Sequence, residues 1–225
     1  MKAVVRIGGS IIASPPDPVL ISRYADLLKI LKKQGHELVV VVGGGKIARD
    51  FIKLARETGL SEEDQDNLAI SVSRLFAQLL ARKLGELGAG KVPTSISQVV
   101  QLLGEEKIVV MGGLRPGMTT DAVAALVAES IKADLLVKAT DQDGIYTKDP
   151  DKHADAKKID ELSFNDLWGL FEEDKHRAGI HQILDPEAVR ILQKSKTRTV
   201  VVNGSNPENV LLAVKGKKIG TLLNR

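Results

Sequence analysis

The sequence predicts an α/β fold with a doubly wound, mainly parallel sheet, and two observations carry that expectation. Five short apolar runs, rich in Val and Ile, stop abruptly at glycine or small polar residues. Runs without polar alternation belong to strands buried on both faces, the condition of a parallel sheet covered by helices. Between the runs lie segments with helical spacing, and strand–helix alternation builds βαβ units.

In chain order, "AVVRIGGS" (3–10) is the first strand with its glycine turn. A helix is expected over 18–34, where Val19, Tyr24, Leu27, Leu28 and Leu31 recur at helical spacing. "ELVVVVGGG" (37–45) is the second strand, and a helix over 46–58 follows its glycines directly. Residues 62–87 form a long helical stretch, either one helix or two. "KIVVMGG" (107–113) is the third strand, and "TTDAVAALVAESIK" (119–132) is an alanine-rich helix with Thr119 or Thr120 as its N-cap. "DLLVKATD" (134–141) is the fourth strand, with a polar loop over 146–158 beyond it. Asp185-Pro186 opens a helix with a cap and a proline in the first turn. "RTVVVNGS" (198–205) is the fifth strand, and Asn206-Pro207-Glu208 opens the last helix. No linker or repeat divides the chain, so one domain is expected over 1–225.

Composition narrows the ligand class. The 225 residues are 43% hydrophobic and 27% charged, which supplies a good core. Aromatics are only 3%, so that core must be aliphatic, and no aromatic platform exists to stack single-stranded nucleic acid. The net charge of +3 is mild and scattered, which suits small anions. Cysteine is absent, which excludes disulfides, thiolate metal sites and thiol nucleophiles and fits a reducing cytoplasm. No apolar stretch is long enough to span a bilayer, and the N-terminus reaches glycine too early for a signal peptide. The expected setting is cytoplasmic, with small-molecule ligands and neither nucleic acid nor membrane as partner. His36, His153, His176 and His181 are spaced unlike metal ligands, so no protein metal site is expected.

Four of the five strand ends carry Gly-Gly or Gly-Ser. Ligands of open α/β sheets bind at the carboxyl ends of the strands, where such backbones and helix N-termini cradle phosphate. Turn chemistry alone explains one such cluster less surprisingly than several on one edge. Gly43 to Ala48 can be forced onto the dinucleotide fingerprint, with Asp66 at the right distance. But that fingerprint follows a first strand, and its acidic residue ends a second; here the loop follows the second strand and Asp66 sits in a helical stretch. "GGLRPGMT" (112–119) has P-loop glycine spacing with Met118 where the lysine belongs. Several cradles in a row instead suit two phosphate-bearing substrates placed end to end for phosphoryl transfer.

The order IGGS (7–10), VVVGGGKIAR (40–49), MGGLRPGMTTDAVAA (111–125) and DLLVKATDQDGIYTKDP (134–150) resembles the amino acid kinase superfamily and, within it, the archaeal-type uridylate (UMP) kinases. The likeness covers roughly residues 3 to 221. It implies a three-layer αβα sandwich around a mainly parallel eight-stranded sheet. UMP would be bound by the part up to about residue 130 and ATP by the part from about 131. It also implies Mg²⁺-dependent transfer of the ATP γ-phosphoryl group to UMP in pyrimidine nucleotide biosynthesis, and a homohexamer built as a trimer of dimers. Carried over residue by residue, Gly9, Ser10, Gly45 and Arg49 approach the ATP phosphates. Thr140, Tyr146 and Asp149 line the ATP base and ribose. Gly44 contacts UMP, Asp66 accepts from its ribose hydroxyls, and Leu114, Arg115, Pro116, Gly117, Met118, Thr119 and Thr120 wrap its base and phosphate. Asp121 takes the place of the acid that organises the catalytic basic groups. Arg6, Lys46 and Lys148 are the candidates for those groups. Many superfamily members have Lys where this chain has Arg6, and the two differ in reach and geometry.

Plainer readings stand beside these. Arg49 is a solvated helix arginine unless the glycine loop recruits it. Asp66 reads as a helix-start cap, Asp121 as a charge complementing the helix dipole, and Tyr146 and Trp168 as packing. Two other functions compete: a kinase of the same fold for isopentenyl phosphate, carbamate or an amino acid, and a non-catalytic nucleotide sensor. Isopentenyl phosphate enzymes use a histidine after the glycine loop, and "KIARD" (46–50) has none.

Overall fold

The computed structural model describes residues 1–173 and 183–224. The first βα unit is β1 (Lys2–Ile7), the four-residue helix α1 (Gly9–Ile12) and α2 (Pro18–Lys33). The Asp17 carboxylate caps α2 by accepting from the amides of Val19 and Leu20, with Pro18 at the first helical position. Next come β2 (Glu37–Val42), α3 (Gly45–Glu57) and α4 (Glu62–Leu84). The long stretch is thus one helix of 23 residues, because no Gly or Pro interrupts it before Gly85. Ser61 caps it by accepting from the Asp64 amide. Then follow α5 (Ile96–Gly104), β3 (Val109–Met111), α6 (Thr120–Ile131) and β4 (Leu135–Thr140). Thr119, not Thr120, caps α6.

The C-terminal part holds β5 (Ile145–Tyr146), β6 (Lys158–Ile159), β7 (Glu161–Ser163) and α7 (Phe164–Glu173). It ends with α8 (Pro186–Ser195), β8 (Thr199–Asn203), α9 (Glu208–Val214) and β9 (Thr221–Asn224).

The main sheet runs β3-β2-β1-β4-β8-β9-β7 and is parallel except at β8–β9. It has seven described strands, not the eight the resemblance implies; β5 and β6 form a separate two-stranded ribbon around the polar loop. Too few apolar residues flank that loop to bury both faces of a central strand.

Side-chain parity explains the unbroken apolar runs. Val5, Val40, Val110, Val137 and Val200 face one core with Tyr24 and Leu28 of α2, Phe76 and Leu80 of α4, and Val210 of α9. Val4, Val39, Val109, Leu136 and Val201 face the other core with Val99 of α5, Val123 and Val127 of α6, and Leu192 of α8. Every strand residue in this set is nearly inaccessible to solvent, so each contributes roughly 1.5–3 kcal/mol by burial. Two helical layers on one sheet make the expected αβα sandwich.

Candidate active site

Strands β1, β2, β3, β4 and β8 run parallel, so their carboxyl ends and the turns that follow share one edge. There the first two glycine turns interlock. A Cβ on Gly9 would lie 2.1 Å from the Gly45 nitrogen, and one on Gly43 would lie 2.7 Å from the Gly9 nitrogen. Gly45 also has φ +60, a left-handed conformation that favours glycine. Ser14 bridges the two turns, donating from Oγ to the Gly9 carbonyl at 3.1 Å and accepting from the Lys46 amide. The close approach these glycines permit is therefore first of all loop against loop, which leaves their remaining amides on a fixed frame.

Beside them opens a cleft of about 600 Å³. Of the predicted residues it is lined by Arg6, Gly9, Ser10, Gly44, Gly45, Arg49, Thr120, Asp121, Thr140, Tyr146, Lys148 and Asp149. Its floor is charged. Arg6 points from β1 and Lys138 from β4, on the same face of the sheet, toward Asp121 in the first turn of α6. The Arg6 Nε lies 2.7 Å from one carboxylate oxygen, and the Lys138 ammonium donates to the other. Arg6 also donates to the Thr120 hydroxyl at 3.0 Å.

Lys138 is 2% exposed, and the side chains of Arg6 and Asp121 are 15% and 12% exposed, so two cations share one anion mostly out of water. Burial works to raise the Asp121 pKa, but the charges of Arg6 and Lys138 together outweigh it and hold the carboxyl below the usual carboxylate range. Burial, helped by Arg6, holds the Lys138 pKa below that of a free lysine, and Asp121 offsets this only in part. The net positive charge sits where water is scarce, which is where it attracts an anion most strongly.

Sequence reasoning misses Lys138, although a signal is present. A lysine inside "LLVKAT", a strand with no solvent-facing side, has to find a counter-charge.

Of the residues predicted on the acceptor side, Gly44 and Thr120 line this cleft, whereas Asp66 and Leu114 to Thr119 do not. Leu114, Arg115, Pro116, Gly117, Met118 and Thr119 make the loop from β3 to α6, and Leu114 and Met118 rest partly buried against the core. The Asp66 carboxylate accepts from the Gly117 amide at 2.7 Å. The Thr119 hydroxyl accepts from the Ala122 amide at 3.1 Å and spends its hydrogen on Asp185, the N-cap of α8. Thr120 uses its oxygen as an acceptor for Arg6 and keeps its own hydrogen for another partner.

On the opposite side, Lys148 pairs with Asp155 at 2.6 Å, and the half-buried Tyr146 lies on β5. A hydrogen bond from Lys152, at 2.9 Å, and one from the Asp151 amide keep the Asp149 carboxyl below its ordinary pKa. Lys46 does not line the cleft. Its ammonium turns along the exposed flank of α3 to Asp50, 2.7 Å away, one turn on. Trp168 lies half-buried on α7, donates to Gln193 at 3.0 Å and carries the Arg190 guanidinium over its ring.

Neither His36 nor His153 lines the cleft, and His176 and His181 lie outside the described residues. Among the described residues no group of three or more His, Cys, Asp or Glu is placed to hold a metal ion, and no helix is long and apolar enough to cross a membrane.

The Amino acid kinase family profile matches residues 1–203. The uridylate kinase of Methanocaldococcus jannaschii is 43% identical over 225 residues, covering 99% of each chain. The crystal structure of uridylate kinase from Archaeoglobus fulgidus superposes with a TM-score of 0.88 at 40% identity, over 99% of this chain and 100% of that one. The UMP kinase structure from Bacillus anthracis, at 22% identity and a TM-score of 0.83 over 99% of this chain and 95% of that one, shares the fold.

Proposed function

The chain belongs to the amino acid kinase family, and we propose that it is a nucleoside monophosphate kinase that moves the γ-phosphoryl group of ATP to UMP, giving ADP and UDP. The observation that carries this reading is the floor of the cleft. A buried lysine and a largely buried arginine share one carboxylate at the point where the glycine turns converge, so the floor is positive, poorly hydrated and held in place. Phosphoryl transfer asks little more of a protein than such positioning and charge stabilisation. Full-length likeness to uridylate kinases supports UMP as the acceptor.

In this reading the ATP phosphates lie along Gly9, Ser10, Gly45 and Arg49, with Thr140, Tyr146 and Asp149 around base and ribose. UMP lies toward Gly44, Asp66 and residues 114–120, so the part up to about 130 serves the acceptor and the remainder serves ATP. Arg6 and Lys138 stabilise the transferred group, and Asp121 aims both. Lys148 stands at the cleft wall for the same charge. Lys46 is left a minor part, since its ammonium is turned away.

Mg²⁺ belongs to the donor. It neutralises phosphate charge, and it ordinarily takes one or two carboxylates plus the phosphates themselves. Asp141 on the cleft wall fits that requirement without any dedicated cage. A homohexamer of dimers in the cytoplasm completes the proposal. The exposed apolar side chains Phe51, Leu54, Leu75 and Leu79 on neighbouring helices α3 and α4 support self-association.

The test is ADP release from ATP and Mg²⁺ against UMP, CMP, dTMP, isopentenyl phosphate, N-acetylglutamate and carbamate. Turnover with UMP far above the others is expected. Turnover with a different acceptor keeps the fold and sinks the UMP reading; silence across the panel points to a nucleotide sensor.

A further inference from the structure

Helix α4 grips the loop from β3 to α6 with three side chains, and the proposed reaction has no other use for two of them, Ser73 and Arg74. Arg74 donates from Nε to the Gly113 carbonyl and from a terminal nitrogen to the Leu114 carbonyl, each at 3.0 Å. Its neighbour Ser73, 2% exposed, accepts from the Gly113 amide at 2.8 Å and donates to its own helix at Ile70. Two turns earlier on the same helix, Asp66 holds Gly117. The loop is thus pinned to α4 at both ends.

The two backbones also touch: a Cβ on Gly112 would lie 2.6 Å from the Arg74 nitrogen, and one on Gly113 would lie 2.9 Å from the Ile70 side chain. Two successive carbonyls presented to one planar fork are a geometry that Arg satisfies and the single ammonium of Lys does not.

We infer that Arg74 is a positioning residue that sets the shape of this loop and, through it, the KM for the phosphate acceptor, an inference that rests on the loop being the acceptor side. Two of its guanidinium nitrogens are spent on the loop backbone, so its effect passes through the loop. Donor affinity depends on the interlocked glycine turns, which Arg74 does not touch.

The test compares wild type with Arg74→Met, which keeps the packed stem and removes both donors, and Arg74→Lys, which keeps the charge. For Arg74→Met the KM for UMP should rise about 10-fold or more, as loss of two charge-assisted hydrogen bonds allows. The KM for ATP should stay within about 2-fold and kcat within about 3-fold, with Arg74→Lys in between, as loss of acceptor binding alone requires. Amide exchange of residues 113–118 should quicken in Arg74→Met while the thermal midpoint moves little. A parallel rise in both KM values, or an unchanged UMP KM in a folded variant, overturns the inference. If Arg74→Met does not fold, Arg74→Lys carries both measurements. If wild type phosphorylates no UMP, the acceptor reading falls by itself, and the exchange rates still decide whether Arg74 holds the loop.

Discussion

At the scale of the residue, the proposed chemistry turns on Lys138 and Asp121. Asp121→Asn keeps the shape but leaves the buried Lys138 and the partly buried Arg6 without their anion. Turnover should fall about 10²–10³-fold, with both KM values changed only a few-fold, in a steady-state assay. The two groups respond to pH in definite directions. Asp121 has its folded pKa below the ordinary 3.8, so its contribution to stability is complete above 3.8 and is lost as pH falls through the lowered value. Lys138 has its folded pKa below 10.5, so between that lowered value and 10.5 the unfolded chain binds more protons and stability rises with pH. In the proposed mechanism the ammonium stabilises the transferred group, so activity should fall over the same window. In Lys138→Met the alkaline rise in thermal midpoint attributable to this group should vanish and kcat should drop about 100-fold or more. An unchanged pH–rate profile in that variant would remove Lys138 from the reaction.

At the scale of the element, the site depends on turns that fit each other. Gly9→Ala places a methyl 2.1 Å from a backbone nitrogen, not from a side chain that can swing away. It should cost about 1–3 kcal/mol in thermal or denaturant unfolding and disable turnover. Gly104, at the end of α5, would have nothing within 4 Å of an added methyl, so Gly104→Ala should leave activity intact and stabilise by up to about 1 kcal/mol. The strands behind those turns are legible because a sheet covered on both faces needs uninterrupted Val and Ile, as in "ELVVVV". Their helices are legible through caps such as Asp17, Thr119 and Asp185. Helix α5 escapes such a reading although Ser95, Val99 and Leu103 mark a cap and a buried stripe, because nine residues among polar neighbours make a weak period. Strands β7 and β9 are three and four residues long, and their pairing with each other and with β8 is a long-range event that no local pattern records. Likewise Lys138 is visible as an oddity in a strand, but its meeting with Asp121 and Arg6 requires β1 and β4 to be neighbours. Lys46 shows the converse: its place in the glycine loop looks catalytic, yet one turn of helix carries its side chain to Asp50.

At the scale of the whole molecule, α4 has two duties on two sides. Inward it holds the loop from β3 to α6, the proposed acceptor side, through Asp66, Ser73 and Arg74. Outward it shows Leu75 and Leu79, 64% and 49% exposed and one helical turn apart, and α3 shows Phe51 and Leu54 at 43% and 56%. Large apolar side chains left in water cost free energy, which is relieved when a second copy covers them. The double substitution Leu75→Glu, Leu79→Glu brings four carboxylates together across any two-fold contact at this face and should shift sedimentation velocity to a smaller species than wild type. Exposed positions cost the single chain little, so its thermal midpoint at matched protomer concentration should fall only as far as lost assembly requires. Because the same helix shapes the acceptor-side loop, the dissociated variant should show a larger rise in KM for UMP than for ATP. Wild-type sedimentation in the double variant would put the assembly contact elsewhere, and equal shifts in both KM values would separate the outer face of α4 from its inner one.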